Sequence, residues 1–169
     1  MPTSEGAKTW IEIDRAHLNH NIQALKGRLQ EGTAFCAVVK ANAYGHGLDE
    51  VTNAAVQVGV DHFAVDSIDE AIRVRELAPE ATIFILGYTT PSHLRDVLTH
   101  RLIQTVYETE AIETLLAQAK ASQIRAQINL KIETGTQRQG IRPEHLQQFL
   151  IEIKRGDGFL DLVGVSSHF

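Results

Sequence analysis

Short uninterrupted runs rich in Val, Ile and Phe alternate along the chain with longer segments whose apolar residues recur at helical spacing. The runs predict strands at Trp10 to Asp14, Ala34 to Lys40, His62 to Asp66, Thr82 to Leu86, Ile103 to Tyr107, Ala126 to Ile132 and Leu160 to Val165. Continuous apolar runs of this kind suit strands covered on both faces of a parallel sheet. Between them, Leu18, Ile22, Leu25 and Leu29 share one helical face, as do Leu48, Val51, Ala55 and Val58, and later Leu146, Phe149, Leu150 and Ile153. Ser67 with Glu70 makes a capping box, Thr90 precedes Pro91 at a first helical position, and Thr109 opens a helical run through Ala111, Ile112, Leu115, Leu116 and Ala119.

From Ala34 onward strand and helix alternate without a Pro- or Ser-rich linker, which describes one continuous α/β array. Such arrays close as an eight-stranded TIM-like barrel or stay open as a doubly wound sheet. Six barrel-type strands follow the opening one, so the expectation is a (β/α)8-type barrel truncated to about six βα units and preceded by one short N-terminal strand. Residues 1–9 are expected to be a flexible lead-in and residues 10–169 the barrel portion.

Composition narrows the classes of function. A hydrophobic content of 43% with 22% charged residues suits a folded domain. With 16 basic against 21 acidic residues and a net charge of -5, no basic surface for nucleic acid is expected. Cys36 is the only cysteine, which excludes an intrachain disulfide and a cysteine-based zinc site and suits a reducing cytoplasm. Met1 to Thr9 lacks the apolar core of a signal peptide, and no apolar run approaches the roughly 20 residues of a membrane span. No metal site is expected either, because the eight histidines are scattered and form no His-Glu-x-x-His pair.

Two stretches stand out as candidate chemistry. In AVVKANAYGHG, Ala37 to Gly47, an apolar strand ends on Lys40 and passes into a small, glycine-containing loop, at the strand end where α/β proteins build active sites. A partly desolvated lysine there has an amine available to condense with a carbonyl; the competing reading is a solvated strand-edge charge. Tyr44 with Gly45 and Gly47 could meet a phosphate, or could be ordinary loop packing, and His46 could be a simple turn residue. In LKIETGTQRQG, Leu130 to Gly140, Lys131 interrupts an apolar strand, which is costly unless it is paired or modified. Arg138 follows with a planar fork suited to a carboxylate or phenolate oxygen, and Glu133 could pair with either cation. His168 lies just past the last strand, at the same rim as Lys40. Asp66 and Asp69 sit at a strand-to-helix turn, where capping accounts for them.

Taken together, VVKANAYGHG, FILGYTTP, LKIETGTQRQG and the final GVSSHF resemble the alanine racemase family, in order and with compatible spacing, from Trp10 to Phe169. That resemblance implies a pyridoxal 5'-phosphate enzyme of fold-type III, in which Lys40 forms an internal aldimine with the cofactor and exchanges the α-proton on the D-alanine side. It implies that Tyr44 contacts the cofactor phosphate and that Leu86 lines the cofactor pocket. Lys131 matches a lysine carbamylated in many members, whose anion holds the residue matching Arg138 against the cofactor's phenolic oxygen and the substrate carboxylate. His168 matches a histidine supporting an arginine at the ring nitrogen. The resemblance further implies a dimer, D-alanine supply for peptidoglycan, and a second base, a tyrosine, from a C-terminal β domain of the partner subunit, which the 169 residues are expected to lack.

On that expectation the chain carries the Lys40 half of a site, is inactive alone, and associates with another copy to cover its open sheet edges. Glu133 departs from the family's usual aspartate, and Thr136 and Gln137 stand where methionine and a small residue are common, which bears on substrate preference. A racemase of serine or another amino acid is the nearest alternative. A non-catalytic pyridoxal-phosphate-binding barrel would lack the Tyr44 to Gly47 tail, and a structural fragment that binds nothing is the remaining reading.

Overall fold

The computed structural model describes residues 8–156 and 158–168, so residues 1–7 of the expected lead-in lie outside the described residues. Among the described residues six strands form one sheet: β1 (Cys36–Val38), β2 (His62–Val65), β3 (Thr82–Ile85), β4 (Ile103–Val106), β5 (Ala126–Lys131) and β6 (Leu160–Ser166). They lie in sequence order and every neighbouring pair is parallel. The intervening helices are α1 (Arg15–Lys26) before the sheet, then α2 (Leu48–Gln57), α3 (Ile68–Leu77), α4 (Leu94–Thr99), α5 (Thr109–Ser122) and α6 (Leu146–Arg155).

Sequential parallel order decides between the two expected architectures. A doubly wound sheet needs a reversal of strand order to put helices on both faces, whereas right-handed crossovers that never reverse place each helix on the same side. The chain therefore has the barrel winding, with β1 and β6 as edges that each pair with a single neighbour. Between sheet and helices, Phe63, Val65, Ile83, Ile85, Ile128 and Leu130 are sealed from solvent against Val74 of α3, Val97 of α4 and Leu115 of α5. Each such side chain contributes about 1.5–3 kcal/mol by leaving water, which makes this layer the principal source of stability.

Two sequence expectations fail at the N-terminus. Trp10 to Asp14 is not a strand: among the described residues it has no strand alongside to complete its backbone hydrogen bonds, and Trp10 and Ile11 stand 59% and 72% exposed. Asp14 instead caps α1, accepting from the backbone N–H groups of Ala16 and His17 at 2.9 and 3.0 Å. The α1 face is also narrower than its spacing suggests, because the helix ends at Lys26 and both Leu25 and Leu29 are exposed. All three helix starts are present: the Ser67–Glu70 capping box opens α3, Thr90 precedes Pro91 at the first position of a 3-10 turn (Pro91–His93) that leads into α4, and Thr109 is the first residue of α5, the last two starts having no side-chain cap.

Candidate active site

β1 is shorter than the apolar run because the chain leaves the sheet at Val39 and coils the opposite way. Ala41, Asn42, Ala43 and Tyr44 all have φ between 51 and 54°, one turn of left-handed helix built without glycine. L-residues resist this conformation by about 1–2 kcal/mol each, so the surroundings must impose it. Hydrogen bonds supply part of that restraint. Ala43 N–H donates to the Val39 carbonyl at 2.8 Å, Gly47 N–H donates to the Asn42 carbonyl at 3.0 Å, and the Asn42 side chain accepts from Leu48 N–H at 2.8 Å, supplying the cap that α2 otherwise lacks. His46 stays within the turn, its Nδ1 lying 3.0 Å from the Ala43 carbonyl.

The turn delivers Lys40 and Tyr44 to the C-terminal rim of the sheet. There one cavity of about 440 Å³ is lined by Val38, Lys40, Tyr44, Asp66, Leu86, Thr105, Lys131, Arg138, Gln139 and His168. Lys40, Tyr44, Leu86, Lys131, Arg138 and His168, all singled out from the sequence, thus meet in a single pocket within the size range of small-molecule sites. Leu86 arrives by extending β3, its N–H bound to the Val65 carbonyl at 2.8 Å. Lys131 ends β5 and lies opposite Ser166 of β6.

Between Ile128 and Asn129 the β5–β6 register shifts, bringing Asn129 against Gly164 and Lys131 against Ser166. Bulges of this kind re-aim side chains beside active sites. Beneath Lys131, the buried Asn129 amide donates to Ser166 Oγ at 2.8 Å and to Thr105 Oγ1 at 3.3 Å, forming a polar floor. The polar alternation Gln127, Asn129, Lys131 was the signal for it.

Two carboxylates behave differently from the sequence reading. Asp66 does not cap α3. Its Oδ1 lies 3.2 Å from Lys40 Nζ, and the β1–β2 register explains why, since Cys36 pairs with His62 and Lys40 and Asp66 keep the same offset beyond the last pair. Glu133 pairs with neither Lys131 nor Arg138. Its carboxylate accepts from the backbone N–H groups of Gly135 at 2.5 Å and Arg138 at 3.2 Å, organising the loop that carries Arg138. Those N–H groups hold the Glu133 carboxyl below the usual glutamate value. The loop is closed at its base by Ile141 N–H donating to the Lys131 carbonyl at 2.7 Å, and tied sideways by Thr134 Oγ1 donating to the His168 carbonyl at 3.1 Å.

Electrostatically, Lys131 is the perturbed group. Burial first, and then the nearby Arg138 guanidinium, push its ammonium below the ordinary lysine value, with Glu133 acting weakly the other way. The pocket therefore combines two amines, one bidentate cation, a phenol from Tyr44 (63% exposed, at the rim) and the apolar surfaces of Val38 and Leu86. Such a donor set fits pyridoxal phosphate: an amine for its aldehyde, cationic and phenolic donors for its oxygens, and apolar walls for its ring.

Known proteins share this fold. Against an alanine racemase of Desulfovibrio desulfuricans the chain is 35% identical over 160 residues, covering 95% of itself and 43% of that relative. An alanine racemase structure from Streptomyces coelicolor superposes with a TM-score of 0.87 at 32% identity, over 93% of this chain and 43% of that one. A histidine racemase structure from Leuconostoc mesenteroides superposes with a TM-score of 0.84 at 26% identity, over 92% of this chain and 41% of that one. The chain thus spans less than half the length of these relatives. The family model for the alanine racemase N-terminal domain matches residues 13–169, essentially the whole barrel portion, and the chain belongs to that family.

Proposed function

We propose that the chain provides the cofactor-holding part of a pyridoxal-phosphate-dependent amino-acid racemase that interconverts L- and D-alanine, as in the supply of D-alanine for peptidoglycan. The observation that carries the reading is the convergence of Lys40, Tyr44, Lys131 and Arg138 on one pocket at the C-terminal rim of a barrel-type sheet. Bound there, pyridoxal phosphate supplies the electron sink that stabilises negative charge at a substrate α-carbon.

The chain's own groups divide the remaining work. Lys40 would present a primary amine to the aldehyde carbon, and the same amine would take or return the substrate α-proton on one face. Its side chain is only 34% exposed, so the pocket wall limits the ways it can point. Tyr44, at the rim, would offer its hydroxyl to a phosphate oxygen, while Val38 and Leu86 would give the ring an apolar wall and exclude water from it. Arg138 offers two parallel N–H groups to the substrate carboxylate or a phenolic oxygen. A lysine with a lowered ammonium value, such as Lys131, holds more neutral amine for carbamylation, and the resulting anion would face Arg138. His168 lines the same wall. A base for the other face of the α-carbon and a homodimeric assembly belong to the proposal as well.

A second substrate reading, a larger or polar amino acid, draws on the fold shared with the histidine racemase and on Glu133, Thr136 and Gln137 in the Arg138 loop. Titrating the chain with pyridoxal phosphate tests the cofactor assignment. A near-visible absorbance band, fixed by borohydride as a mass increase on the Lys40 peptide and absent in Lys40→Ala, is expected; the same band in Lys40→Ala would overturn it. Chiral analysis of alanine, serine and histidine incubated with a racemase carrying this domain separates the substrate readings, with alanine expected to turn over fastest.

A further inference from the structure

A capping box needs one carboxylate oxygen to reach back to the first N–H groups of its own helix. Glu70 does this with Oε2, which accepts from Asp66 N–H at 3.1 Å and Ser67 N–H at 3.3 Å. Its other oxygen faces away from the helix: Oε1 accepts from the backbone N–H of Asn42 at 3.3 Å, 28 residues earlier in the chain. Asn42 sits inside the left-handed turn, two residues past Lys40 and two before Tyr44, and its own side chain caps α2. One carboxylate therefore spans the gap between the β1 and β2 loops. It grips Asp66, the ion-pair partner of Lys40, and Asn42, in the backbone that aims Lys40.

This contact also addresses the energetic problem of the turn. Four successive L-residues at positive φ are unfavourable locally, and the backbone hydrogen bonds inside the turn satisfy its own groups without fixing it to the rest of the fold. A charged acceptor on a backbone N–H is stronger than a neutral one and is rigidly based here, because the same carboxylate is already bound to the start of α3. We infer that Glu70 is a positioning residue of the cofactor site, which sets where the Lys40 amine and Tyr44 phenol stand by bonding the left-handed turn to the N-terminus of α3. The inference rests on the proposed cofactor role only for its functional consequence; the structural link to Asn42 stands separately.

The test compares Glu70→Ala, Glu70→Gln and Ser67→Ala with the unaltered chain. Ser67→Ala removes the hydroxyl that accepts from Glu70 N–H at 3.3 Å, damaging the cap while leaving the Asn42 contact. Three readouts are taken: thermal midpoint, amide hydrogen exchange at Asn42 and Tyr44, and the rate at which pyridoxal phosphate becomes borohydride-fixable on Lys40. All three variants are expected to lower the midpoint. Only the Glu70 variants are expected to speed exchange at Asn42 and slow Lys40 labelling, Glu70→Ala by about tenfold or more, the order of loss that misplacing a reacting group produces. Gln retains one good acceptor oxygen, so its effect should be intermediate.

Labelling at the unaltered rate in folded Glu70→Gln and Glu70→Ala, or equal slowing in Ser67→Ala, would overturn the inference. If Glu70→Ala does not fold, Glu70→Gln and the exchange at Asn42 decide it. Failure of the unaltered chain to label Lys40 at all would refute the cofactor reading instead, and Asn42 exchange would still report on Glu70.

Discussion

Lys40 Nζ lies 3.2 Å from Asp66 Oδ1, so the amine proposed to receive the cofactor is held by a carboxylate just past the end of β2. The pair is partly solvated, and such pairs contribute about 0–1 kcal/mol. Asp66→Asn should therefore leave the thermal midpoint nearly unchanged. Freed of its anchor, Lys40 should be labelled by pyridoxal phosphate faster, by less than about tenfold given that small interaction energy. Slower labelling in Asp66→Asn would show that the carboxylate orients the amine and does not restrain it.

The pocket was legible from the sequence because its members sit where strands end: Lys40, Leu86, Lys131 and His168 each follow or close an apolar run, and the loop residues Tyr44 and Arg138 lie within a few positions of them. The core was legible because Phe63, Val65, Ile83 and Ile85 belong to runs with no polar break. What sequence could not give depends on partners distant in the chain. Strand character at Trp10 to Asp14 required a neighbour that the described residues do not provide. The role of Asp66 required the β1–β2 register, and the left-handed turn at Ala41–Tyr44 contradicts the local preference of Ala41, Ala43 and Tyr44, leaving only Asn42 suited to it. Glu133 was read as an ion-pair partner because its backbone N–H partners become convergent only once the loop is folded.

Lys131 should make stability rise with pH. Its folded-state value lies below the ordinary 10.5, so the unfolded chain binds more protons between the two values and unfolding becomes less favourable as pH climbs through that window. Lys131→Met is expected to match or exceed the unaltered chain at pH 7 and to lose that advantage toward the top of the window. Denaturant titrations across this range check it. A pH-independent difference between the two proteins would contradict the assignment of the perturbed group. With ¹³C-bicarbonate, a carbamate signal is expected from the unaltered chain and absent in Lys131→Met.

Glu133 acts at acid pH. Its carboxyl is held below the ordinary 4.5 by loop N–H groups, so its contribution is fully present above that value and disappears as pH falls through the lowered one. Protection of the segment 133–141, taken relative to the intrinsic amide exchange rate at each pH, should fall over that acid range before β5 itself opens. Glu133→Gln should show the low protection already at neutral pH and little further change on acidification. Equal protection of the loop in both proteins would mean that the Glu133 contacts do not order it.

Gly140 sets the hardest limit on this loop, through both conformation and space. Its φ is 141°, and a Cβ placed there would lie 2.5 Å from Glu133 N and 2.8 Å from Ile132 C, both backbone atoms at the loop's base. Backbone cannot swing aside as a long side chain can, so Gly140→Ala should push apart the Ile132–Ile141 bridge and, with it, the anchor of Arg138. Gly135 provides the control. Its φ is 129°, yet a methyl group added there would meet nothing within 4 Å, so Gly135→Ala should incur conformational strain alone, of about 1–3 kcal/mol. The expected order of destabilisation is therefore Gly140→Ala well above Gly135→Ala by denaturant unfolding. Only Gly140→Ala should also expose the amides of Ile141 and Glu133, which bond to the Lys131 and Ile141 carbonyls at 2.7 and 2.9 Å. Equal costs at the two glycines would show that the loop's base yields, and that Arg138 is held by the Glu133 carboxylate without help from the bridge beneath it.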